Sequence, residues 1–402
     1  MHVLVSGASV AGPTLAWWLH RYGFRVTVVE RAPALREAGG HAVDLFAPAL
    51  DIVERMGLLD AVQEHRTGTE RITVRREGAS RSVTIDVARL MGAVSRRHVE
   101  IMRDDLGEIL HTATRDDVEY VFGDSVTAIA DDGTVAFERG ASRRFALVVG
   151  ADGLHSTVRR LVFGPEPGFT RWLGAYLAVA SVPNFRDLRD SMDGVIGVDR
   201  LAGMYSARHM PDARALFLFR PPAPLHLDHH DVTAQRRALR AAFADLDGDV
   251  PRLLDEADRT DAFYFDSITQ LRLDTWSRGR VTLVGDAGYC PGPAVGGSTS
   301  LAVVGAFTLA GELALARGDH AVAYPAYERA LGDYVRGSRT FAASMANRLV
   351  PRNRAQLWAL LAGTTLLTAV PGPLVRAVTR RGGRLGLHDT VRPRDYPALL
   401  ET

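Results

Sequence analysis

The stretch that most restricts this chain's fold stands at its N-terminus. His2–Ser6 (HVLVS) has the makings of a short buried strand. Gly7-Ala8-Ser9-Val10-Ala11-Gly12 opens a helix that runs to Tyr22, and Gly23 ends it as a C-cap residue does. Arg25–Val29 (RVTVV) is a second strand, closed by Glu30. Strand, glycine turn, helix, strand and acid in this order predict a βαβ unit that binds a dinucleotide. The glycines let the backbone approach a pyrophosphate at a helix N-terminus, and an acid about 20 residues further on accepts from ribose hydroxyls. Ser9 stands where the fingerprint has its middle glycine. The pattern fits NAD and FAD equally.

Two later stretches repeat the theme. Phe145–Val149 reads as a buried strand ending in Gly150-Ala151-Asp152-Gly153, with Arg159 and Arg160 on the short helix that follows. Within Gly279–Leu313, a strand (Arg280–Gly285) ends at Asp286, turns through a Pro/Gly segment, and enters a long apolar helix at about Ser298. An acid at such a turn can hold a ligand's hydroxyls, and the helix's unpaired N–H groups can face an anionic or electron-rich ring. A capping aspartate in a plain strand–turn–helix has the same local pattern.

Between these stretches, Gly39-Gly40-His41-Ala42-Val43-Asp44-Leu45 reads as backbone passing close to a ligand, followed by an amphipathic helix over Ala49–Met56. Strand-like runs cover Arg71–Arg76, Ser82–Val87, Tyr120–Val126 and Thr134–Glu138. Arg103, at the start of a helix to about His111, faces the cofactor or pairs with Asp104 or Asp105. Period-two runs at Ala175–Val182, Val195–Val198 and Ala215–Phe219 predict an antiparallel sheet with a polar helix over Thr233–Leu246; Asp266–Leu273 then leads the chain back. The expected fold class is α/β: a Rossmann-like dinucleotide domain with an inserted antiparallel-sheet substrate domain and a C-terminal helical region. Its expected boundaries are 1–164, 165–275 (with part of 71–100 joining), 276–330 and 331–402. The last region, interrupted at Pro351 and Pro371, is expected to cross behind both domains.

Charge adds exclusions. With 48 basic and 47 acidic residues, the net charge of +1 points to no nucleic acid. Every basic residue other than histidine is arginine, which excludes Schiff-base and P-loop lysine chemistry. His226, His229 and His230 lack matching downstream ligands, and the single cysteine, Cys290, offers no cluster, so no metal is expected. A lone cysteine and an N-terminus that enters a strand directly fit a cytoplasmic protein. The longest apolar run, Leu357–Val370, is too short at 14 residues to span a bilayer.

Taken together, GASVAG with Glu30, GADGLHSTVR and GRVTLVGDAGYCPGP with its helix resemble the group A flavoprotein monooxygenases of the para-hydroxybenzoate hydroxylase fold. EIMRDDLGEIL and GGHAVDL look most like the branch with tetracycline-inactivating and polyketide-tailoring enzymes. The resemblance covers about the first 330 residues. It implies FAD as cofactor, with Gly7, Ser9, Val10, Ala11 and Gly12 at the pyrophosphate and Glu30 and Arg31 by the adenosine ribose. It assigns Arg103 to the phosphate or ribityl region, Asp44 to the cofactor wall, and Asp152 and Gly153 to FAD and NAD(P)H. Asp286 is implied to hold ribityl hydroxyls, while Pro293, Gly296, Gly297, Ser298 and Thr299 lie by the flavin ring.

The implied reaction uses NAD(P)H and O2 to hydroxylate a bulky aromatic or polyketide-like small molecule through a flavin C4a-hydroperoxide. Baeyer–Villiger oxidation and epoxidation use the same fold, and the expected assembly is a monomer or homodimer. His41, Tyr205 and His209 are candidates for a general base. Two departures count against the assignment. Gly288-Tyr289 replaces the family's usual alanine and histidine, and Gly296-Gly297-Ser298 replaces its glycine–variable–glycine loop. A lost backbone hydrogen bond to the ring there costs roughly 1–3 kcal/mol. That cost and the Ser9 substitution motivate a rival reading: a relative without redox function, binding flavin weakly or not at all and acting as a non-oxidative cyclase, isomerase or binding protein.

Overall fold

The computed structural model describes residues 1–35, 40–91, 95–293, 297–369 and 387–396. Its first layer is a six-stranded sheet in the order Ser277–Arg278, Val281–Leu283, Leu147–Gly150, His2–Ser6, Arg25–Glu30, Glu119–Phe122, parallel except for the antiparallel edge strand Ser277–Arg278. The inner strands are apolar on both faces, as a sheet covered on both sides requires. The helix Ala11–Arg21 covers one face, with Trp17 and Trp18 buried.

The second layer is a seven-stranded sheet in the order Phe263–Leu271, Thr170–Val182, Ala213–Phe219, Arg200–Ser206, Ser191–Gly197, Arg71–Arg76, Ser82–Asp86. The expected antiparallel pattern holds with one exception: Arg71–Arg76 runs parallel to Ser191–Gly197. That pairing brings the early hairpin 71–86 to the edge of a sheet formed mainly by later residues. Some expected bounds move. Tyr120–Val126 is split into Glu119–Phe122 and Val126–Ile129, because Gly123 takes a positive φ of 73° between them. The segment near His41, read as backbone passing close to a ligand, contains a strand, Ala42–Phe46, paired with His98–Met102 as a two-stranded ribbon. A helix at Val250–Arg259 and the strand Arg200–Ser206 were not anticipated.

The helix Ser298–Leu315 is the core element of the first layer. It is apolar all round and long enough to cross a membrane, yet most of it is buried inside the protein, as a core helix is. Its glycines admit close neighbours: a Cβ at Gly305 would stand 1.9 Å from the Tyr289 hydroxyl. The 30-residue helix His320–Leu349 then joins the layers. Its first half packs in the core of the six-stranded sheet through Tyr324, Tyr327 and Leu331, and its second half packs Ala342 and Ala346 against Ala175 and Leu177. Pro371 lies outside the described residues.

Candidate active site

Four of the parallel strands end side by side. Ser6 pairs with Val29 and with Gly150, and Gly150 pairs with Leu283. The pairing continues one residue past each end: Gly7 N–H donates to Val29 O at 2.8 Å, Ala151 N–H to Ser6 O at 2.7 Å, and Val284 N–H to Gly150 O at 2.8 Å. The three sequence motifs therefore meet at the carboxyl ends of adjacent strands, where the connections leave the central strand in opposite directions. Open α/β sheets bind ligands at that crevice.

Local geometry explains the glycines. Gly7 has φ +110°, and a Cβ there would lie 2.4 Å from Ala151 O. A Cβ at Gly12 would lie 1.9 Å from Gly7 O. Gly12 does not line the cavity described below, so its part is the tight packing of helix on turn rather than contact with a ligand. Val10 caps the helix with no side-chain hydrogen bond, and the first turn carries no acid, which leaves its N–H groups to an anion. Glu30 accepts from Ala8 N–H and Ala32 N–H, both at 2.9 Å, and so ties the glycine turn to the second strand. The Asp152 carboxylate turns back onto its own helix, accepting from Ser156 Oγ at 2.5 Å and Val158 N–H at 3.0 Å. Burial raises its pKa despite those bonds. Arg159, fully buried, links the second motif to the third by donating to Leu154 O, Ala287 O and the Glu166 carboxylate at 2.6–2.9 Å.

From this crevice a single cavity of 1410 Å³ extends to the second sheet. It exceeds the roughly 300–1,000 Å³ of a one-ligand pocket. Gly7, Ser9, Val10, Ala11, Glu30, Arg31, Asp44, Arg103, Asp152, Gly153, Asp286, Pro293, Gly297, Ser298 and Thr299 line it. Gly39 and Gly296 lie outside the described residues. Arg103 Nε donates to Ser9 Oγ at 3.1 Å, so the serine in the middle-glycine position holds that arginine at the cavity wall. Asp104 instead accepts from Gly40 N–H at 2.7 Å. Gly297, at φ +90°, caps the helix without a side-chain bond, and Ser298 Oγ donates to the Asp286 carboxylate.

The base candidates separate. His41 lines the cavity with its ring 5.2 Å from that of Tyr264. Tyr205 lines it too, but its hydroxyl accepts from Ala42 N–H at 3.0 Å and burial pushes its pKa upward, which suits a hydrogen-bonding wall better than a base. His209 does not line the cavity; it lies 3.4 Å from the Asp105 carboxylate. Cys290 is fully buried, its thiol pushed well up by burial.

Sequence reasoning missed several wall residues. Glu100, Tyr264 and Asp266 line the cavity, as does His155, whose Nδ1 lies 3.0 Å from Glu166 and whose Nε2 lies 3.4 Å from Asp266. Burial alone would lower the His155 pKa, but the bonds and charges of Asp266 and Glu166 raise it to about 10. His229, from the histidine-rich loop, stacks on it at 4.5 Å. His155 stood inside GADGLHSTVR, where its neighbours masked it. The far end of the cavity is apolar: Ile72, Val74, Met192, Leu216, Met345 and Leu360 converge there from four separate parts of the chain.

One cavity thus has a polar end with two uncapped helix starts and a roomy apolar end against a second sheet. Such a space has room for a dinucleotide beside a second, apolar molecule. The chain matches the FAD binding domain family over residues 1–347 and belongs to the FAD-dependent monooxygenases. It is 46% identical over 338 residues to an uncharacterised protein of Mycobacterium tuberculosis, covering 83% of this chain and 90% of that one. It is 36% identical over 342 residues to a flavin-dependent monooxygenase of Legionella longbeachae, covering 84% and 87%. Among solved structures, tetracycline destructase Tet(55) superposes with a TM-score of 0.82 at 31% identity, covering 98% of each chain.

Proposed function

We propose that the protein is a cytoplasmic monooxygenase that uses FAD, NAD(P)H and O2 to hydroxylate a bulky aromatic or polyketide-like molecule. The continuity of the dinucleotide end with a large apolar chamber carries this reading. When bound, FAD supplies the electron transfer from NAD(P)H and the activation of O2. The chain's own residues do the rest. The helix start at Val10–Ala11 and Arg103 receive the pyrophosphate, Glu30 and Arg31 the adenosine ribose, and Asp286 the ribityl hydroxyls. The second uncapped helix start, at Gly297, would lie by the flavin ring, where its N–H groups could stabilise negative charge. Ser298 Oγ donates to the Asp286 carboxylate and holds it at the cavity wall. The helices His320–Leu349 and Arg354–Ala369 wall the chamber through Met345, Leu349 and Leu360 and exclude water from the substrate.

The test is a visible absorption spectrum of the purified protein before and after FAD is added and free cofactor removed. A retained flavin spectrum, followed by NAD(P)H oxidation that rises with tetracycline or another phenolic polycycle, is the expected result. A colourless protein that does not keep FAD would refute the proposal in favour of a non-redox role.

A further inference from the structure

Glu100 faces Asp44 across the two-stranded ribbon, and both line the cavity. Like charges directly opposite on one face repel, which opposes ionisation of both members of such a pair. His98 Nε2 lies 2.7 Å from Asp44 Oδ1, a hydrogen-bonded partner that Glu100 lacks. Glu100 has a different set of partners. Thr67 and Thr69 both donate their hydroxyls to its Oε2, Thr69 at 2.8 Å. An oxygen that accepts two hydroxyls is not the one that holds a proton. Among the described residues Oε1 bonds to no protein group, and the half-buried side chain lines the cavity.

We propose that Glu100 is a substrate-facing acid that keeps its proton on Oε1 and donates it as a hydrogen bond to a neutral carbonyl oxygen of a polycyclic aromatic ketone. The inference rests on the functional reading above, which puts a bulky aromatic molecule in the chamber. No bond is broken; the proton stays on Glu100. Burial and the charge of Asp44 both push the Glu100 pKa up, against a weaker downward pull from Thr67, Thr69 and His98. Tyr205, a further titratable neighbour, is held neutral by its own burial. A carboxylic acid kept neutral by its surroundings is a strong donor to an oxygen.

Xanthone, which has one carbonyl and no titratable group, is the probe, used with the FAD-loaded protein and its Glu100→Gln and Glu100→Ala variants. Gln keeps an acceptor for the threonines and a donor for the ligand, while Ala removes both. At neutral pH the Gln variant is expected to bind within about threefold of wild type and the Ala variant about tenfold more weakly. Wild-type affinity falls as alkali ionises Glu100, and the Gln variant stays flat. If His98 were the titrating group, the Gln variant would fall too. An infrared difference spectrum at neutral pH shows a protonated carboxyl that Glu100→Gln removes, and a xanthone carbonyl stretch lowered on binding. A missing carboxyl signal, a flat wild-type profile, or equal binding by the Ala variant overturns the proposal while leaving the oxygenase reading standing. Failure of the wild type to bind xanthone at all overturns the aromatic-chamber reading and the proposal with it.

Discussion

The imidazole of His155 is expected to make the protein lose stability between neutral and alkaline pH. Its pKa is raised from 6.5 to about 10. The folded state therefore holds this proton more tightly than the unfolded chain. The contribution is complete below pH 6.5 and disappears as pH climbs through about 10. At about 1.36 kcal/mol per pKa unit the ceiling is roughly 5 kcal/mol. The His155 and Glu166 side chains are 32% and 30% exposed, so solvent screens much of that. We expect about 1–2 kcal/mol. The control is His155→Gln, which keeps a polar side chain but has no proton to lose. It leaves Glu166 paired with Arg159 at 2.7 Å and Asp266 without its charged partner. Melting temperatures of both proteins at pH 7 and pH 9.5 decide the matter. Wild type should fall by about 2–3 °C more than the variant. If the two fall in parallel, His155 is not the group that titrates, and the bridge it makes between the DG motif and the second sheet carries no charge.

Three further outcomes follow from single contacts. Gly12→Ala places a Cβ 1.9 Å from a backbone oxygen, so the turn must open at a cost of about 1–3 kcal/mol or more; the purified variant should come off the column without flavin. Ser298→Ala removes the hydroxyl donated to Asp286, worth about 1 kcal/mol, and FAD affinity measured by fluorescence should change about fivefold. In acid, Glu119, lowered to about 2 chiefly by its hydrogen bonds from Arg143, contributes stability that is present above its ordinary 4.5 and lost as pH falls toward 2. Glu119→Gln should flatten that limb of the melting profile.

The first sheet was legible in the sequence because each of its site motifs is local. Strand, glycine or acid, and helix start lie within about ten to eighteen residues, and parallel pairing does nothing more than align them. Ser9, which looked like a weakness, gains a partner in Arg103 94 residues away, and Ser298 gains one in Asp286. Neither bond has a signature in the spacing, because in each case the second partner comes from a different element. His41 and Tyr205 were sensible guesses because both are polar residues beside strands of the right region. His209 looked the same, but its strand has already ended at Ser206 and its ring turns to Asp105 outside the cavity. The substrate end had no comparable signal. Ile72, Met192, Leu216 and Leu360 are ordinary core residues in the sequence, and only the parallel insertion of 71–76 beside 191–197 makes them one wall.

The ribbon Ala42–Phe46 with His98–Met102 connects the two ends of the cavity mechanically. Ser300, on the core helix, accepts from Phe46 N–H at 2.9 Å and donates to Asp44 O at 3.0 Å, so the first ribbon strand is pinned to the element that caps the flavin end. The second strand carries Glu100 and passes without a loop into the helix that begins at Arg103. Three residues of extended chain fix the acid and the arginine about 10 Å apart. Arg103 N–H donates to His41 O at 3.1 Å, which locks the joint to the opposite strand. Glu100 and Arg103, proposed above to face substrate and cofactor, therefore cannot move independently. An extra residue inserted between Met102 and Arg103 should weaken FAD retention and ligand binding together, whereas an insertion in a surface turn such as Asp131–Gly133 should affect neither.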